Sequence, residues 1–321
     1  MNDKSGRCID YMRISITDRC DLRCKYCMPC PLPKIPHSDI LSYEEILRVC
    51  RAAITLGINK FKVTGGEPFV RKGATDFIAR LKAQPGVECV TVTTNGTMLS
   101  GVLPELISAG IDGVNISVDA ADAEKYKAIT GVGLAAEVLA AVAQCAKSGI
   151  RTKVNCVMLD SNESEFLPLA ALACEMPVDV RFIELMPLGY GRALKGPDSA
   201  AVLERLRAVY PDLGYTDEKR GNGPAVYYAS SRLTGRIGFI SANSHKFCAG
   251  CNRIRLTSTG MLKPCLCYDA AVDLRALLRT GADEAILTQA IAQAVYAKPS
   301  AHCFSDKERM TEYRMMNEIG G

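Results

Sequence analysis

The chain has 321 residues, 48% of them hydrophobic, which is enough for a large core in one α/β domain or one domain with an appendage. A net charge of +4, from 39 basic and 35 acidic residues, is too mild to argue for nucleic acid, so any role for positive charge must be local. The first residues lack the apolar core of a signal peptide, and no apolar run is long enough to span a bilayer, GVGLAAEVLAAVAQCA being broken by Glu137. The sequence therefore reads as cytoplasmic, with neither a membrane nor a nucleic acid as partner.

Along the chain, short β-like runs alternate with helical patterns through residue 186. The predicted strands are 10–17, 59–65, 88–95, 112–118, 150–159 and 179–186. Between them lie amphipathic stretches such as YEEILRVCRAAITLG and ATDFIARLKAQ. This rhythm predicts six βα units and a parallel sheet. Eight units need roughly 250 residues, so the expectation is a partial, TIM-like (βα)6 barrel over residues 1–190. Residues 191–321 are expected to form a smaller α+β appendage. It begins with the linker LGYGRALKGPDS and continues through the helix AAVLERLRAVY, several short glycine-containing strands and a helical tail.

Alternation inside the strands carries chemical information, because residues i and i+2 share a face. Arg13, Ser15 and Thr17 oppose Ile14 and Ile16, while Lys60, Lys62 and Thr64 oppose Phe61 and Val63. Thr91, Thr93 and Asn95 form the next polar row, followed by Asn115, Ser117 and Asp119, then Lys153 and Asn155. A parallel sheet covered on both faces reads as nearly continuous hydrophobic runs. Here one face is polar and cationic, which predicts a lumen that takes an anion. The sixth strand fits less cleanly, with Arg181 and Met186 on opposite parities.

Fifteen cysteines, an odd number in a large chain, exclude a secreted disulfide scaffold. Cys50, Cys89, Cys145, Cys156 and Cys174 lie alone in apolar patterns and are expected to behave as small hydrophobes. The others cluster. CDLRCKYCMPC spaces Cys20, Cys24 and Cys27 as C-x3-C-x2-C and adds Cys30. FCAGCNRIRLTSTGMLKPC spaces Cys248, Cys251 and Cys265 as C-x2-C-x13-C, with Cys267 two residues on. Thiolates select zinc, copper(I) or iron–sulfur clusters. Four thiols would close a site, as in zinc proteins or electron carriers; three would leave one iron of a four-iron cluster open. Arg253 and Arg255, inside the second cluster, share one strand face and suit phosphate.

The CDLRCKYC spacing resembles the radical S-adenosylmethionine (SAM) superfamily, and the strand-end TGGEP, residues 64–68, resembles that superfamily's SAM-binding segment. RISITDRCDLRCKYCMP, KVTGGEP, TTNG, NISVDA, KVN, RFIELMP, FCAGCNRIRLTSTG and the terminal IGG together resemble the MoaA family, the GTP 3′,8-cyclases of molybdenum cofactor biosynthesis. The resemblance implies two [4Fe-4S] clusters, one on Cys20, Cys24 and Cys27, the other on Cys248, Cys251 and Cys265. It implies SAM contacts from Tyr26, Gly65, Gly66, Glu67, Ser117 and Met186. For GTP it implies Arg13, Lys60, Lys62, Thr93, Lys153, Arg181, Arg253, Ile254 and Arg255, with Lys62 standing where many relatives carry arginine. Arg13, Arg253, Arg255 and the tail glycines Gly320 and Gly321 are expected at the reacting centre, and the two clusters are expected to face each other across the barrel mouth. An electron donor, a downstream pyranopterin-forming enzyme and a homodimer are the implied partners. Cys30, Cys267 and Cys303 receive no family role. A radical SAM enzyme with another substrate is the competing reading.

Overall fold

The computed structural model describes residues 1–28, 35–306 and 308–320. The predicted strands appear as β1 (Tyr11–Ser15), β2 (Lys60–Thr64), β3 (Cys89–Thr94), β4 (Gly113–Ser117), β5 (Thr152–Met158) and β6 (Asp179–Glu184). Helices α1 (Tyr43–Thr55), α2 (Ala74–Lys82), α3 (Leu99–Ser108), α4 (Ala123–Thr130), α5 (Ala135–Lys147) and α6 (Phe166–Glu175) connect or follow them. The C-terminal region contributes α7 (Ser199–Val209), β7 (Gly214–Thr216), β8 (Val226–Ala229), β9 (Arg236–Ile240), β10 (Arg253–Leu256), β11 (Met261–Lys263) and β12 (Val272–Asp273). It ends with α8 (Leu274–Arg279), α9 (Glu284–Tyr296) and the single turn α10 (Met316–Ile319).

Local sequence accounts for these elements. Helix α1 starts at a capping box in which Ser42 and Glu45 satisfy each other's backbone N–H groups, at 3.1 and 2.7 Å. Its Ile46, Val49, Cys50 and Ala53 stripe then packs into the core. The parallel register carries the apolar face from strand to strand, so the neighbours Ile14, Val63, Val92 and Val114 are all fully buried under the helices. Each such side chain contributes about 1.5–3 kcal/mol.

Among the described residues the twelve strands form one sheet, in the order β12-β11-β10-β1-β2-β3-β4-β5-β6-β9-β8-β7. The six N-terminal strands are parallel neighbours, as the sequence predicts. The C-terminal region keeps its α+β character but also extends the barrel: β10 adds in parallel beside β1, and β9 in parallel beside β6. Eight parallel strands therefore curve around the lumen, two of them contributed from beyond residue 190. The sheet does not close, since β9 and β10 are not paired.

Candidate active site

The polar faces line up laterally across the sheet. Arg255, Arg13, Lys62 and Thr91 are register partners in one row. Thr93, Asn115, Lys153 and Asp179 form a second, and Ser117, Asn155 and Arg181 a third. Arg181 donates to the Asn155 amide oxygen at 2.8 Å and to that of Asn115 at 3.0 Å, so it belongs to the lumen. The parity conflict with Met186 disappears because β6 ends at Glu184 and alternation does not reach Met186, which packs instead beside the second, smaller hydrophobic cluster.

The cations of this lumen press on one another. Burial, then Arg181, Arg13 and Lys153, drive the Lys62 ammonium well below its usual range. Burial, then Arg13 and Arg253, do the same to Arg255, and burial followed by Arg181 brings Lys153 down to about 7. Guanidiniums stay charged under such pressure, so the lumen presents concentrated positive charge that an anion of several charges would relieve. Lys60 is different. Its ammonium is paired with Asp10 at 2.6 Å at the base of the sheet. Ile254 is also misplaced by the expectation from resemblance: its side chain is fully buried on the helix side, beside Met12 in register.

The loop after β1 carries Cys20, Cys24 and Cys27 at the top of the barrel. The TGGEP segment builds the platform for this loop. Gly66 N–H donates to Thr17 O at 2.7 Å, and Glu67 N–H to Arg19 O at 2.7 Å. A Cβ on Gly66 would lie 2.2 Å from the Arg19 carbonyl oxygen, so the glycine is required by the chain's own close approach. Glu67 is fully buried, and its carboxylate accepts from Phe69 N–H, the Thr94 hydroxyl and Asn95 N–H. It ties strands together and does not face the mouth, contrary to the expected SAM contact. Asn95 in turn donates to Asp21 at 2.7 Å and reaches the Cys20 sulfur at 3.7 Å. Tyr26 donates to the buried Asp119 carboxylate at 2.6 Å.

Several positioning residues escape sequence reasoning because their partners are remote. Asn317, in α10, donates its side-chain N–H to Asp18 O at 3.2 Å, and its backbone N–H faces the Cys27 sulfur. Three residues later Gly320 O accepts from Arg255 at 2.7 Å, so the tail runs from the first cysteine loop to the second strand of arginines. Gly321 and Cys30 lie outside the described residues. At the second triplet, Lys298 is buried and donates to Arg253 O at 2.8 Å and Pro264 O at 2.6 Å. Arg7 donates to Cys248 O at 2.8 Å and to Ser300 O at 2.9 Å. Burial opposes the Cys251 thiolate, but Arg253 and Lys298 more than offset it and bring the thiol down to about 7.

Both triplets fit four-iron clusters. The donors are soft thiols, none of them in a disulfide. Cys20, Cys24 and Cys27 feel one another's charge, as do Cys265, Cys251 and Cys248. N–H groups point at several of the sulfurs: Leu22 at Cys20, at 3.4 Å, and His302 at Cys248, at 3.3 Å. Burial pushes the Cys20 and Cys27 thiols up to about 12, so a bound cation is what would deprotonate them. No three His, Cys, Asp or Glu side chains among the described residues converge on one ion. A four-iron cube takes one thiolate at each of three separate corners. Cys267 and Cys303 instead meet each other, sulfurs 3.3 Å apart, in the second hydrophobic cluster. Of the isolated cysteines, Cys50, Cys145 and Cys156 are core residues as expected, whereas Cys89 is half-buried and lines the base of the lumen.

The two triplets do not face each other across the mouth. Cys20 follows the C-terminal end of β1, whereas Cys251 precedes Arg253, which pairs with Tyr11 at the N-terminal end. Between those rows lies on the order of 13 Å of strand. The cysteine sites therefore occupy opposite ends of a cationic lumen.

A parallel barrel with a three-thiol loop at its top defines a radical SAM protein. Residues 14–173 match the Radical SAM superfamily, and residues 178–304 match the family described as Molybdenum Cofactor Synthesis C. The SAM-bound SuiB of Streptococcus suis shares the fold, with a TM-score of 0.65 and 16% identity over 97% of this chain and 77% of that one. A GTP 3′,8-cyclase of Clostridium perfringens (strain 13 / Type A) is 42% identical over 323 residues, covering 100% of both chains. Another, from Heliobacterium modesticaldum, is 40% identical over 328 residues, again covering 100% of each. The chain belongs to the family of GTP 3′,8-cyclases.

Proposed function

We propose that this chain is a radical SAM lyase that converts GTP to (8S)-3′,8-cyclo-7,8-dihydroguanosine 5′-triphosphate, the first step of molybdenum cofactor biosynthesis. Its cofactors are two [4Fe-4S] clusters and SAM. Cys20, Cys24 and Cys27 hold the first cluster, and Cys248, Cys251 and Cys265 the second. The observation that carries the reading is the row of mutually repelling cations between two thiol triplets at opposite ends of one lumen. A nucleoside triphosphate has the charge and the length to span it.

When bound, the first cluster and SAM supply the reductively generated group that abstracts hydrogen from the ribose. The chain's own residues orient and enclose. Arg13, Lys62, Lys153, Arg181, Arg253 and Arg255 carry the charge that binds the triphosphate, and Thr93 adds a hydroxyl to the same wall. Tyr26, Gly65, Gly66, Ser117 and Met186 surround the SAM end. Glu67 fixes the loop beneath them. The docked tail, through Asn317 and Gly320, covers the top of β1 and keeps water from the reacting atoms. Holding ribose and guanine in one geometry is the protein's main contribution, because the bond to be made lies within one substrate.

An electron donor, an enzyme that takes the cyclised nucleotide on to a pyranopterin, and a homodimeric assembly complete the proposal. Its unpaired thiols suit the reducing cytoplasm, and no single helix among the described residues is long and apolar enough to cross a membrane. The test is anaerobic reconstitution with iron and sulfide, followed by GTP, SAM and a reductant. Mass spectrometry should find 5′-deoxyadenosine and a cyclised isomer of GTP in equal amounts. Formation of 5′-deoxyadenosine that GTP neither stimulates nor matches would direct the assignment to another substrate.

A further inference from the structure

The base of the lumen is closed by a segment that no motif marks. Between β7 and β8, residues 217–223 cross beneath the N-terminal ends of β3, β4 and β5. The cavity there is lined by Lys62, Thr91, Asn115, Lys153 and Arg181 from the strands and by Arg220, Gly221, Asn222 and Gly223 from the loop. It offers about 60 Å³, room for about four water molecules. That is the space of one phosphate group, not of a whole triphosphate.

The loop is built around Lys153. The Lys153 ammonium donates to the Arg220 carbonyl and, at 2.9 Å, to the Tyr227 hydroxyl. It also lies 3.6 Å from the carboxylate of Asp179, a side chain with 1% exposure. A buried carboxylate at the edge of a phosphate pocket would repel the ligand and hold the lysine. Arg220 counters it: its guanidinium grips Asp179 through contacts of 2.7 and 3.2 Å and reaches Glu218 at 2.7 Å. Arg236 secures Glu218 from the other side at 2.9 Å. Gly221 has φ +147°, and a Cβ there would stand 3.1 Å from the Lys153 nitrogen, so a side chain at this position would crowd the ammonium. Asn222 anchors the far side of the loop on the Cys89 sulfur at 3.5 Å.

We propose that the 217–223 loop is the floor of the nucleotide pocket, and that Arg220, by neutralising Asp179, directs Lys153 to the terminal phosphate and so sets the preference for a nucleoside triphosphate over a diphosphate. Arg220 is a positioning residue: it acts through Asp179 and Lys153. The inference rests on the reading of the lumen as a GTP site. The Arg220 carbonyl and a phosphate oxygen compete for one ammonium, and the cavity admits the last phosphate of the chain. Without Arg220, Asp179 would claim Lys153 for itself.

The experiment measures binding of GTP and GDP to the reconstituted enzyme under anaerobic conditions, together with kcat and KM for GTP. Arg220→Ala should weaken GTP binding by about tenfold while GDP binding moves less than about twofold, with KM rising and kcat holding. Asp179→Asn combined with Arg220→Ala should recover GTP affinity, because the competitor for Lys153 is gone. That double variant also separates the effect from simple misfolding, as do iron content and melting temperature. Equal losses for GTP and GDP, or no rescue by Asp179→Asn, would overturn the role of the floor. If the wild-type enzyme binds neither nucleotide, the reading of the lumen itself fails, and the floor with it.

Discussion

Lys298 shows how a single buried charge can hold a cluster site together. Its ammonium bridges the carbonyls of Arg253 and Pro264, one beside each arm of the second triplet, and lies near Cys251. Lys298→Met takes a donor from both carbonyls and removes a charge that favours the Cys251 thiolate. The expected outcome is an enzyme with about half the iron, still forming some 5′-deoxyadenosine but little cyclised product; iron analysis and product ratio check it. Lys153 makes a pH prediction. Burial and Arg181 bring its pKa to about 7 in the free protein, so above that value the ammonium is lost and an anion must bind with proton uptake. A terminal phosphate, with its second pKa near 6, is already ionised there. GTP affinity should therefore fall between about pH 7.5 and 9, by up to about tenfold per unit, and Lys153→Arg should flatten the slope in calorimetric titrations. Neither Lys298 nor Arg7 was legible in the sequence, since each is a lone cation whose partners are remote in the chain. The thiol triplets and the lumen arginines were legible, because spacing and strand parity are local.

At the scale of elements, the C-terminal tail behaves as a strap. Lys263 on β11 forms a buried ion pair with Glu312, which also holds Arg314 at 2.9 Å. Cys303, Phe304, Met310 and Ile319 pack with Leu188 and Leu266 in the second hydrophobic cluster. Removing one partner of a buried pair costs about 3–5 kcal/mol. Glu312→Ala should therefore loosen residues 308–320 first, seen as faster proteolysis of the tail and a loss of cyclisation, while the core melts nearly as before. Lys263→Met with Glu312→Leu should restore protection. The six βα units could be read from periodicity, as could the polar face. The places of β9 and β10 could not. They are short and join the barrel through pairings that no local pattern encodes. For the same reason the sequence suggested both cysteine sites at the mouth: it reveals ligand spacing but not which end of a strand the ligands approach.

At the scale of the whole molecule, the lumen exists only when both ends of the chain meet. Strands β1 and β6 would be bare edges without β10 and β9. A fragment of residues 1–190 should accordingly fail to fold as a stable monomer, with aggregation and no cooperative melt by circular dichroism, although it carries the first triplet, TGGEP and all six predicted strands. A cooperative melt from that fragment would show that the two regions are independent. The pairing of β1 with β10 has a further consequence during synthesis. Tyr11 leaves the ribosome roughly 240 residues before its partner Arg253, an interval on the order of ten seconds or more at 5–20 residues per second. Throughout that time the cysteine loop after β1 is made, while the tail that later covers it has yet to be translated. The nascent chain thus offers its first set of thiols to iron and sulfide donors before the lid exists, and the last residues to emerge seal a site whose metal could already be in place.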